Sequence, residues 1–165
     1  MMMKAIIEEL KSLIENPTSG LPEDVFLFVT SIIPMINVDL LIKNDKKQTL
    51  LTWRDDGLWL PGWHIPGGIV RYKETMADRI HAVAVSELRT DVNFKTDPLA
   101  VKEVIHPTRK VRGHFISFLF ECSLTGNVEP KIMYKQGMPN PGEWAWHDKC
   151  PDNIISVHEM YKEYI

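Results

Sequence analysis

One carboxylate in this 165-residue chain has a spacing that predicts chemistry. Met76, Ile80, Val83 and Glu87 follow one another at intervals of four, three and four residues, so in a helix they lie along one stripe. Three members of this stripe are apolar, and burying a carboxylate at its end is costly unless that group is paired or binds a metal ion. The alternative is that Glu87 lies at the helix edge and reaches water.

The elements around Glu87 must position it. Residues 75–88 contain neither Gly nor Pro and predict a helix. The preceding segment, 60–68, contains two prolines and three glycines, and its Trp and Ile favour burial, so a structured loop is expected there.

Apolar periodicity predicts the remaining elements. An amphipathic helix is expected over residues 3–15, a second helix starts near 21–24, and a closing helix covers 152–161. Residues 126–142 form a long irregular segment of the kind that often carries function. Helices flanking a mixed sheet predict a layered α/β sandwich. The predicted strands are 35–42, 49–53, 101–106, 114–122 and 144–147.

Length and charge restrict the protein class. The whole chain, 1–165, is predicted to be a single domain in which residues 1–20 are an additional N-terminal helix. Nineteen Lys and Arg against 22 Asp and Glu give a net charge of −3, so no global basic field attracts nucleic acid or an anionic membrane. An anionic ligand must therefore meet local positive charge or a metal ion.

Cysteine content and hydropathy predict the compartment. Two cysteines do not make the disulfide framework of a small secreted protein. No apolar run approaches the roughly 20 residues that a membrane span needs. A cytoplasmic protein with reduced thiols is expected.

The segment from Gly68 to Arg89 resembles a Nudix box, whose pattern is Gly-x5-Glu-x7-Arg-Glu-apolar-x-Glu-Glu-x-Gly. The preceding Trp-His-Ile-Pro-Gly-Gly run, 63–68, is similar to the loop through which that family enters its box. The resemblance covers roughly residues 35–148 and implies a Nudix-type α/β/α sandwich. The matching positions are Gly68, Glu74, Ala84 and Glu87, whereas Ala82, Val83, Ser86 and Arg89 replace the Arg, two Glu and the terminal Gly of the pattern.

The resemblance implies a divalent metal ion. A complete box carries three carboxylates that hold two or three ions, which neutralise a diphosphate and activate water. With Glu87 as the remaining helix carboxylate, one Mg²⁺, or alternatively Mn²⁺, is expected. Its ligands would be Glu87, a carbonyl of Gly67 or Gly68, phosphate oxygens and water.

Within the family, the reduced box resembles that of GDP-mannose mannosyl hydrolase. The resemblance extends to Asp39 in the first strand, to Arg54 before the Pro-Gly-Gly turn and to His106 after the box helix. That branch is dimeric, and its water attacks the anomeric carbon of the sugar while the nucleoside diphosphate leaves. The similarity implies catalytic and substrate-binding roles for Asp39 and Arg54 and a catalytic role for His106.

The chain also departs from that branch. Ile69 stands where the branch has an Arg. The basic loop with Arg109, Lys110 and Arg112 either replaces the positive charge of that missing Arg or is a solvated turn. In the late loop, Asn140 is the candidate replacement for a Gln metal ligand, but no His follows it. Three candidates for the general base remain open, namely Glu143, His106 and His114.

Three functions therefore compete. The first is a Mg²⁺-dependent hydrolase of nucleotide sugars that releases the nucleoside diphosphate. The second is a Nudix diphosphatase that acts at phosphorus on nucleoside diphosphate derivatives, and the missing carboxylates argue against it. The third is a nucleotide-binding module without catalysis. A homodimer is expected, because the additional N-terminal helix and five Trp residues suit a subunit interface.

Overall fold

Two helices precede the sheets in the computed structural model, which describes residues 2–57 and 59–165. Helix α1 covers Met2–Ser12 and helix α2 covers Glu23–Val29, where the sequence predicts both. None of the residues of α1 is buried, although its pattern is amphipathic. Acidic residues occupy the first turn of α2, where they interact favourably with the helix dipole.

Over residues 2–57 and 59–165, eight strands form two sheets. The first sheet is mixed and has the order β4-β1-β7-β5, with β6 also pairing with β7. β1 runs parallel to β7 along its whole length, and the other pairs are antiparallel. The second sheet is antiparallel and has the order β3-β2-β8. The strands are β1 Met35–Ile42, β2 Thr49–Arg54, β3 Gly62–His64, β4 Gly67–Ile69, β5 Val92–Phe94, β6 Ala100–Ile105, β7 His114–Leu124 and β8 Trp144–His147.

The box helix, α3, covers Met76–Val83 and continues as a π-helical turn over Ala84–Leu88, which confirms the helix predicted at 75–88. Thr75 caps its first turn, because the Thr75 hydroxyl accepts from the Asp78 N–H while the Asp78 carboxylate accepts from the Thr75 N–H. Arg89 ends the helix in the left-handed conformation, with φ of 57°. Glycine adopts this conformation most readily, and the Nudix pattern has glycine at this position.

Helix α3 packs against the first sheet. The apolar residues of β1 that face it alternate along the strand, and they form the larger core cluster with the buried side of the helix. A second cluster lies between the two sheets and includes Leu41, Leu51, Leu119 and Tyr161. Helices against a mixed sheet confirm the predicted fold class.

Two predictions about local structure were wrong. Residues 60–68 contain β3 and β4 rather than only a loop, because these short strands obtain their hydrogen bonds from the distant strands β2 and β1. The closing segment forms a 3₁₀ helix only at Ser156–Tyr161. Its start is tied to β3 instead, since the Trp63 N–H donates to the Asn153 carbonyl at 3.0 Å. No described helix is long and apolar enough to cross a bilayer.

Candidate active site

Glu87 lies in the π-helical turn that follows α3, and it faces the loop that enters the helix. Its Oε1 accepts a hydrogen bond from the Gly67 N–H at 3.1 Å, and its Oε2 accepts one from the Thr52 hydroxyl at 2.9 Å. The Nε2 of His64 lies 3.4 Å from the same Oε2. Turns of π-helix are frequent at functional sites. Glu87 is the last residue of the stripe predicted from spacing. Its hydrogen bonds place it against β2 and the Gly-Gly turn.

The backbone of Gly67 points toward Glu87. In an antiparallel pair, opposite residues alternate between hydrogen-bonded and non-hydrogen-bonded pairs. Leu40 donates to Pro66 and Val70 donates to Ile36 across β1 and β4, so Gly67 occupies a non-hydrogen-bonded position opposite Asp39. The N–H and carbonyl of Gly67 thus project away from β1, on the side of Glu87. Of the two carbonyls proposed as ligands, that of Gly67 has this orientation.

Both glycines of this turn are packed too closely to carry side chains. A Cβ on Gly67 would collide with Asp39 Oδ1, and one on Gly68 would lie 2.7 Å from Val83 Cγ2. Val83 occupies a position where the Nudix pattern has Glu, and it packs against the turn. Ser86, at another such position, donates its hydroxyl to the Val83 carbonyl at 3.1 Å.

The donors around Glu87 fit one divalent cation. Within the described part of the chain, no group of three or more His, Cys, Asp or Glu side chains is arranged to hold a metal ion. A carboxylate has about four lone-pair sites, so its hydrogen bonds to Gly67 and Thr52 leave capacity for a ligand bond. Mg²⁺ binds with one or two carboxylates when phosphate oxygens and water complete its coordination. This corner therefore offers one carboxylate and the Gly67 carbonyl to a single ion.

Glu74 is neutralised by an arginine that the box pattern does not predict. Arg79 donates from Nε and Nη2 to the two carboxylate oxygens of Glu74, at 2.8 and 2.7 Å. The Arg71 N–H also donates to Glu74, at 2.8 Å. The pattern places its Arg at position 82, where this chain has Ala. Arg79, one helical turn earlier, holds the loop before the helix against α3.

Asp39 is 1% exposed and lies at the centre of a hydrogen-bond network. Its Oδ2 accepts from the Ser117 and Tyr161 hydroxyls, and its Oδ1 accepts from the Asn37 amide at 2.8 Å. Burial raises the pKa of Asp39 to about 6, although the hydrogen bonds from Ser117 and Tyr161 act in the opposite direction. The carboxylate is thus enclosed by protein.

Two histidines connect Asp39 with Glu87. His158 is buried, its Nδ1 accepts from the Ile65 N–H at 3.0 Å, and its Nε2 lies 3.8 Å from Asp39 Oδ1. Burial lowers the pKa of His158 well below its ordinary value, so this imidazole is neutral and carries its proton on Nε2. The His158 ring lies 5.9 Å from the ring of His64, which in turn faces Glu87.

Three arginines line one cavity beside this network. The cavity has a volume of about 70 Å³, and Asn37 and His158 also line it, so it touches two partners of Asp39. Burial lowers the pKa of Arg112, and the nearby charges of Arg54 and Arg109 lower it further. Arg54 also forms an ion pair with Asp56 at 2.6 Å. Converging guanidinium groups of this kind favour an anion, because it relieves their mutual repulsion.

The basic loop covers this cavity through Trp59. The guanidinium of Arg109 lies 3.9 Å from the centre of the Trp59 ring, and the His106 ring lies 5.7 Å from that ring. His106 Nδ1 accepts from the backbone N–H groups of Thr108 and Arg109, at 3.3 and 3.2 Å. His106 therefore shapes the loop that carries Arg109 and Arg112.

The other predicted site residues lie apart from Glu87. Asn140 and Glu143 bond to each other, since the Asn140 backbone and side-chain N–H groups donate to the Glu143 carboxylate at 3.0 and 3.1 Å. These bonds lower the pKa of Glu143. The contacts of Glu87 in the described chain are to Thr52, His64 and Gly67 and do not include this loop. His114 pairs with Glu103 at 3.2 Å on an exposed surface.

Several residues of this site have no signal in the sequence. Ser117 and Tyr161 lie 78 and 122 positions from Asp39 along the chain, so no local pattern links them. The apolar surroundings of Asp39 do indicate that such donors must exist. Arg79 lies in α3, five residues after Glu74 in the preceding loop, so helical spacing does not pair the two.

Comparisons with known structures identify the fold. The MutT Nudix hydrolase of Burkholderia pseudomallei aligns over 81% of this chain and 98% of its own, with a TM-score of 0.64 and 17% identity. The MutT protein of Methanosarcina mazei aligns over 81% of this chain and 94% of its own, with a TM-score of 0.57 and 16% identity. The two sheets, the box helix and the Gly-Gly turn thus form the Nudix fold.

The sequence comparison identifies the family. No family model matches the chain. The low-salt glycan biosynthesis protein Agl8 of Haloferax volcanii is 30% identical over 127 residues, which cover 74% of this chain and 80% of that protein. The chain therefore belongs to the same family as Agl8.

Proposed function

We propose that this protein is a Mg²⁺-dependent hydrolase of nucleotide sugars, in which water attacks the anomeric carbon and the nucleoside diphosphate leaves. The observation that carries the proposal is a single helix carboxylate, Glu87, that is connected through His64 and His158 to a cavity lined by Arg54, Arg109 and Arg112. The name of its relative, a glycan biosynthesis protein, supports a sugar-containing substrate.

The charges favour departure of a diphosphate over attack on it. Attack at phosphorus places a nucleophile against a highly charged group and commonly uses two metal ions. Expulsion of a diphosphate requires only that charge developing on the leaving group be stabilised, which converging arginines can do. One cation and three guanidinium groups suit the second reaction.

In this proposal, each residue has a distinct task. Glu87 and the Gly67 carbonyl would hold a Mg²⁺, which would supply positive charge to the diphosphate, and Arg54, Arg109 and Arg112 would bind the same group. Asp39 positions Asn37 and His158 at the cavity, because its enclosed carboxylate contacts both.

The general base is proposed from the groups that border the cavity and Glu87. His64 beside Glu87 is the candidate that the contacts favour, whereas the Nδ1 lone pair of His106 already accepts from the backbone N–H groups of Thr108 and Arg109. Glu143 remains a candidate only if its loop closes on the substrate, and Asn140 would become a metal ligand in that same closure.

Hydrolysis in ¹⁸O-labelled water tests the proposal. GDP-mannose and GDP-glucose are incubated with the protein and Mg²⁺, and the products are analysed by mass spectrometry. Label in the free sugar is the expected result. Label in a nucleoside monophosphate or sugar phosphate would instead assign a diphosphatase that acts at phosphorus. Tight binding without turnover, measured by calorimetry, would assign a nucleotide-binding module.

We also propose that the protein is a cytoplasmic homodimer. The exposed apolar side chains of α1 support the dimer, because Met2, Met3 and Ile6 are 77%, 67% and 51% exposed. Contiguous apolar surface of this kind commonly marks an interaction site.

A further inference from the structure

Glu87 presents its two carboxylate oxygens to different neighbours. Oε1 accepts from the Gly67 N–H, on the side of the Mg²⁺ position proposed above. Oε2 lies 2.9 Å from the Thr52 hydroxyl and 3.4 Å from His64 Nε2. The Thr52 hydroxyl is also 3.2 Å from His64 Nε2. A carboxylate oxygen, a hydroxyl and an imidazole nitrogen therefore converge on one point beside Glu87.

The backbone fixes the orientation of the His64 imidazole. Its Nδ1 lies 2.8 Å from the Thr52 carbonyl oxygen, and the two residues lie opposite each other in the pair of strands β2 and β3. A carbonyl oxygen can only accept a hydrogen bond, so Nδ1 carries the proton of the neutral ring and Nε2 presents a lone pair. A hydrogen bond from the other ring nitrogen to a backbone carbonyl is the arrangement that holds histidine ligands of metal ions in place.

The three converging atoms have too few hydrogens to satisfy one another. The Thr52 hydroxyl carries a single hydrogen, which it donates to Glu87 Oε2, so it has none for His64 Nε2. Lone pairs on Glu87 Oε2 and on His64 Nε2 thus face each other at 3.4 Å. His64 is only 8% exposed, so little water reaches the space between them. A cation between the two atoms removes this repulsion.

We propose that His64 Nε2 and Glu87 Oε2 form a second cation position, which binds a late first-row metal ion such as Zn²⁺, Ni²⁺ or Co²⁺ in preference to Mg²⁺. Two ligand atoms held at about 2.0–2.2 Å from a tetrahedral Zn²⁺ lie about 3.4 Å apart, which matches the observed separation. Imidazole is a good ligand for these metals, whereas Mg²⁺ prefers oxygen atoms. The Glu87 side chain is 25% exposed, so the ion and its remaining water ligands can enter from that side.

Occupation of this position has a consequence for turnover. The metal ion binds the same Nε2 lone pair that accepts a proton when His64 acts as the general base. Zn²⁺ should therefore inhibit Mg²⁺-dependent hydrolysis by about 100-fold or more, which is the contribution of a general base. This consequence rests on the function proposed above, whereas the cation position itself does not.

Metal binding in the absence of substrate tests the position. Titration calorimetry of the full chain with ZnCl₂ and, separately, with MgCl₂ compares the two ions. Long-range ¹H–¹⁵N NMR spectra of the histidine side chains of the parent protein identify the nitrogen that binds. Zn²⁺ is expected to shift the Nε2 resonance of His64, and Mg²⁺ is expected to leave it unchanged. Absence of Zn²⁺ binding, or binding that does not shift this resonance, would overturn the proposal.

Matched variants separate this position from the other histidines. His64→Gln removes the nitrogen ligand, so the dissociation constant for Zn²⁺ should rise by at least about tenfold while that for Mg²⁺ stays the same. His81→Gln, at an exposed histidine that also pairs with a carboxylate, is the control and should retain Zn²⁺ binding. Equal Zn²⁺ affinity in the parent and in His64→Gln would contradict the cation position even if nucleotide sugars are hydrolysed. Zn²⁺ binding through His64 in a protein that hydrolyses no nucleotide sugar would support the position and refute the proposed function alone.

Discussion

At the scale of single residues, the site combines a partly exposed carboxylate with a buried one. The Glu87 side chain is 25% exposed and can reach a ligand, whereas Asp39 is enclosed by hydroxyl, amide and imidazole groups. The same side-chain chemistry therefore serves different tasks at the two positions. Glu87 is the candidate metal ligand, and Asp39 organises the groups around the cavity.

Replacement of Glu87 by Gln tests the metal assignment. The amide oxygen can still accept a hydrogen bond, so the fold should persist, but the anionic ligand is lost. We expect Mg²⁺-dependent hydrolysis of a nucleotide sugar to disappear and the heat of Mg²⁺ binding to decrease in calorimetry. Glu121→Gln, at an exposed ion pair with Lys95, is the control. Full activity in the Glu87 variant would show that another group holds the metal.

The raised pKa of Asp39 predicts a pH dependence of stability. The folded protein holds this proton up to about pH 6, whereas the unfolded chain releases it near the ordinary aspartate pKa of 3.8. Between these values the folded state binds more protons, so the free energy of unfolding should fall as the pH rises through this window. The shift corresponds to about 3 kcal/mol.

Urea unfolding at a series of pH values measures this effect. Asp39→Asn removes the titrating group, so the decrease between about pH 4 and pH 6 should be smaller in this variant than in the parent protein. The exposed Asp97→Asn is the control and should retain the decrease. Parallel pH profiles for the parent and Asp39→Asn would contradict the assigned titration.

At the scale of elements, an ion pair joins the loop that precedes the box helix to the helix itself. Glu74 lies in the loop before α3 and Arg79 lies within the helix, and their side chains are 15% and 11% exposed. The two-point contact fixes the direction in which the chain enters the helix.

Loss of the guanidinium at position 79 should destabilise the protein. Arg79→Met leaves the Glu74 carboxylate without its charge partner, and breaking a largely buried pair costs about 3 kcal/mol. Arg79→Lys retains the charge but not the two parallel hydrogen bonds, so its cost should be intermediate. Chemical denaturation measures both. Lys95→Met, which breaks an exposed pair, should cost less than about 1 kcal/mol; equal costs for the two sites would refute the anchoring role.

At the scale of the whole molecule, α1 is a helix that buries none of its residues against the rest of the chain. Its apolar side chains contribute no buried residue, although their spacing gives the helix an apolar face. A short isolated helix is marginally stable in water, so its persistence requires a covering surface. A second copy of the chain provides one in the proposed dimer.

A charged residue on that face should dissociate the dimer. Ile6→Glu introduces a carboxylate where apolar contact is expected, and sedimentation velocity should show a shift from dimer to monomer at micromolar concentration. Lys4→Gln makes the same change of one charge unit on the same helix and serves as the control. A parent protein that sediments as a monomer would exclude the dimer.

The sequence by itself determined the framework of the site. Periodicity predicted β1, β8 and the box helix, because their contacts repeat at the period of a strand or a helix. Spacing predicted the turn and the helix that carry Glu87, since these are local structures, and the resemblance of this segment to a Nudix box implied the fold. The sequence also predicted that Arg54, Arg109 and Arg112 belong to a substrate site.

Only the tertiary structure decided which groups meet. Asp39 finds Ser117 and Tyr161 across two distant segments, and His158 reaches it from the C-terminal 3₁₀ helix. The arginines share a cavity because the end of β2 and the loop after β6 converge above β1. Such contacts depend on how whole elements pack, and this packing produces no periodic pattern in the sequence. The conformation of each element, in contrast, depends on neighbours within a few residues along the chain.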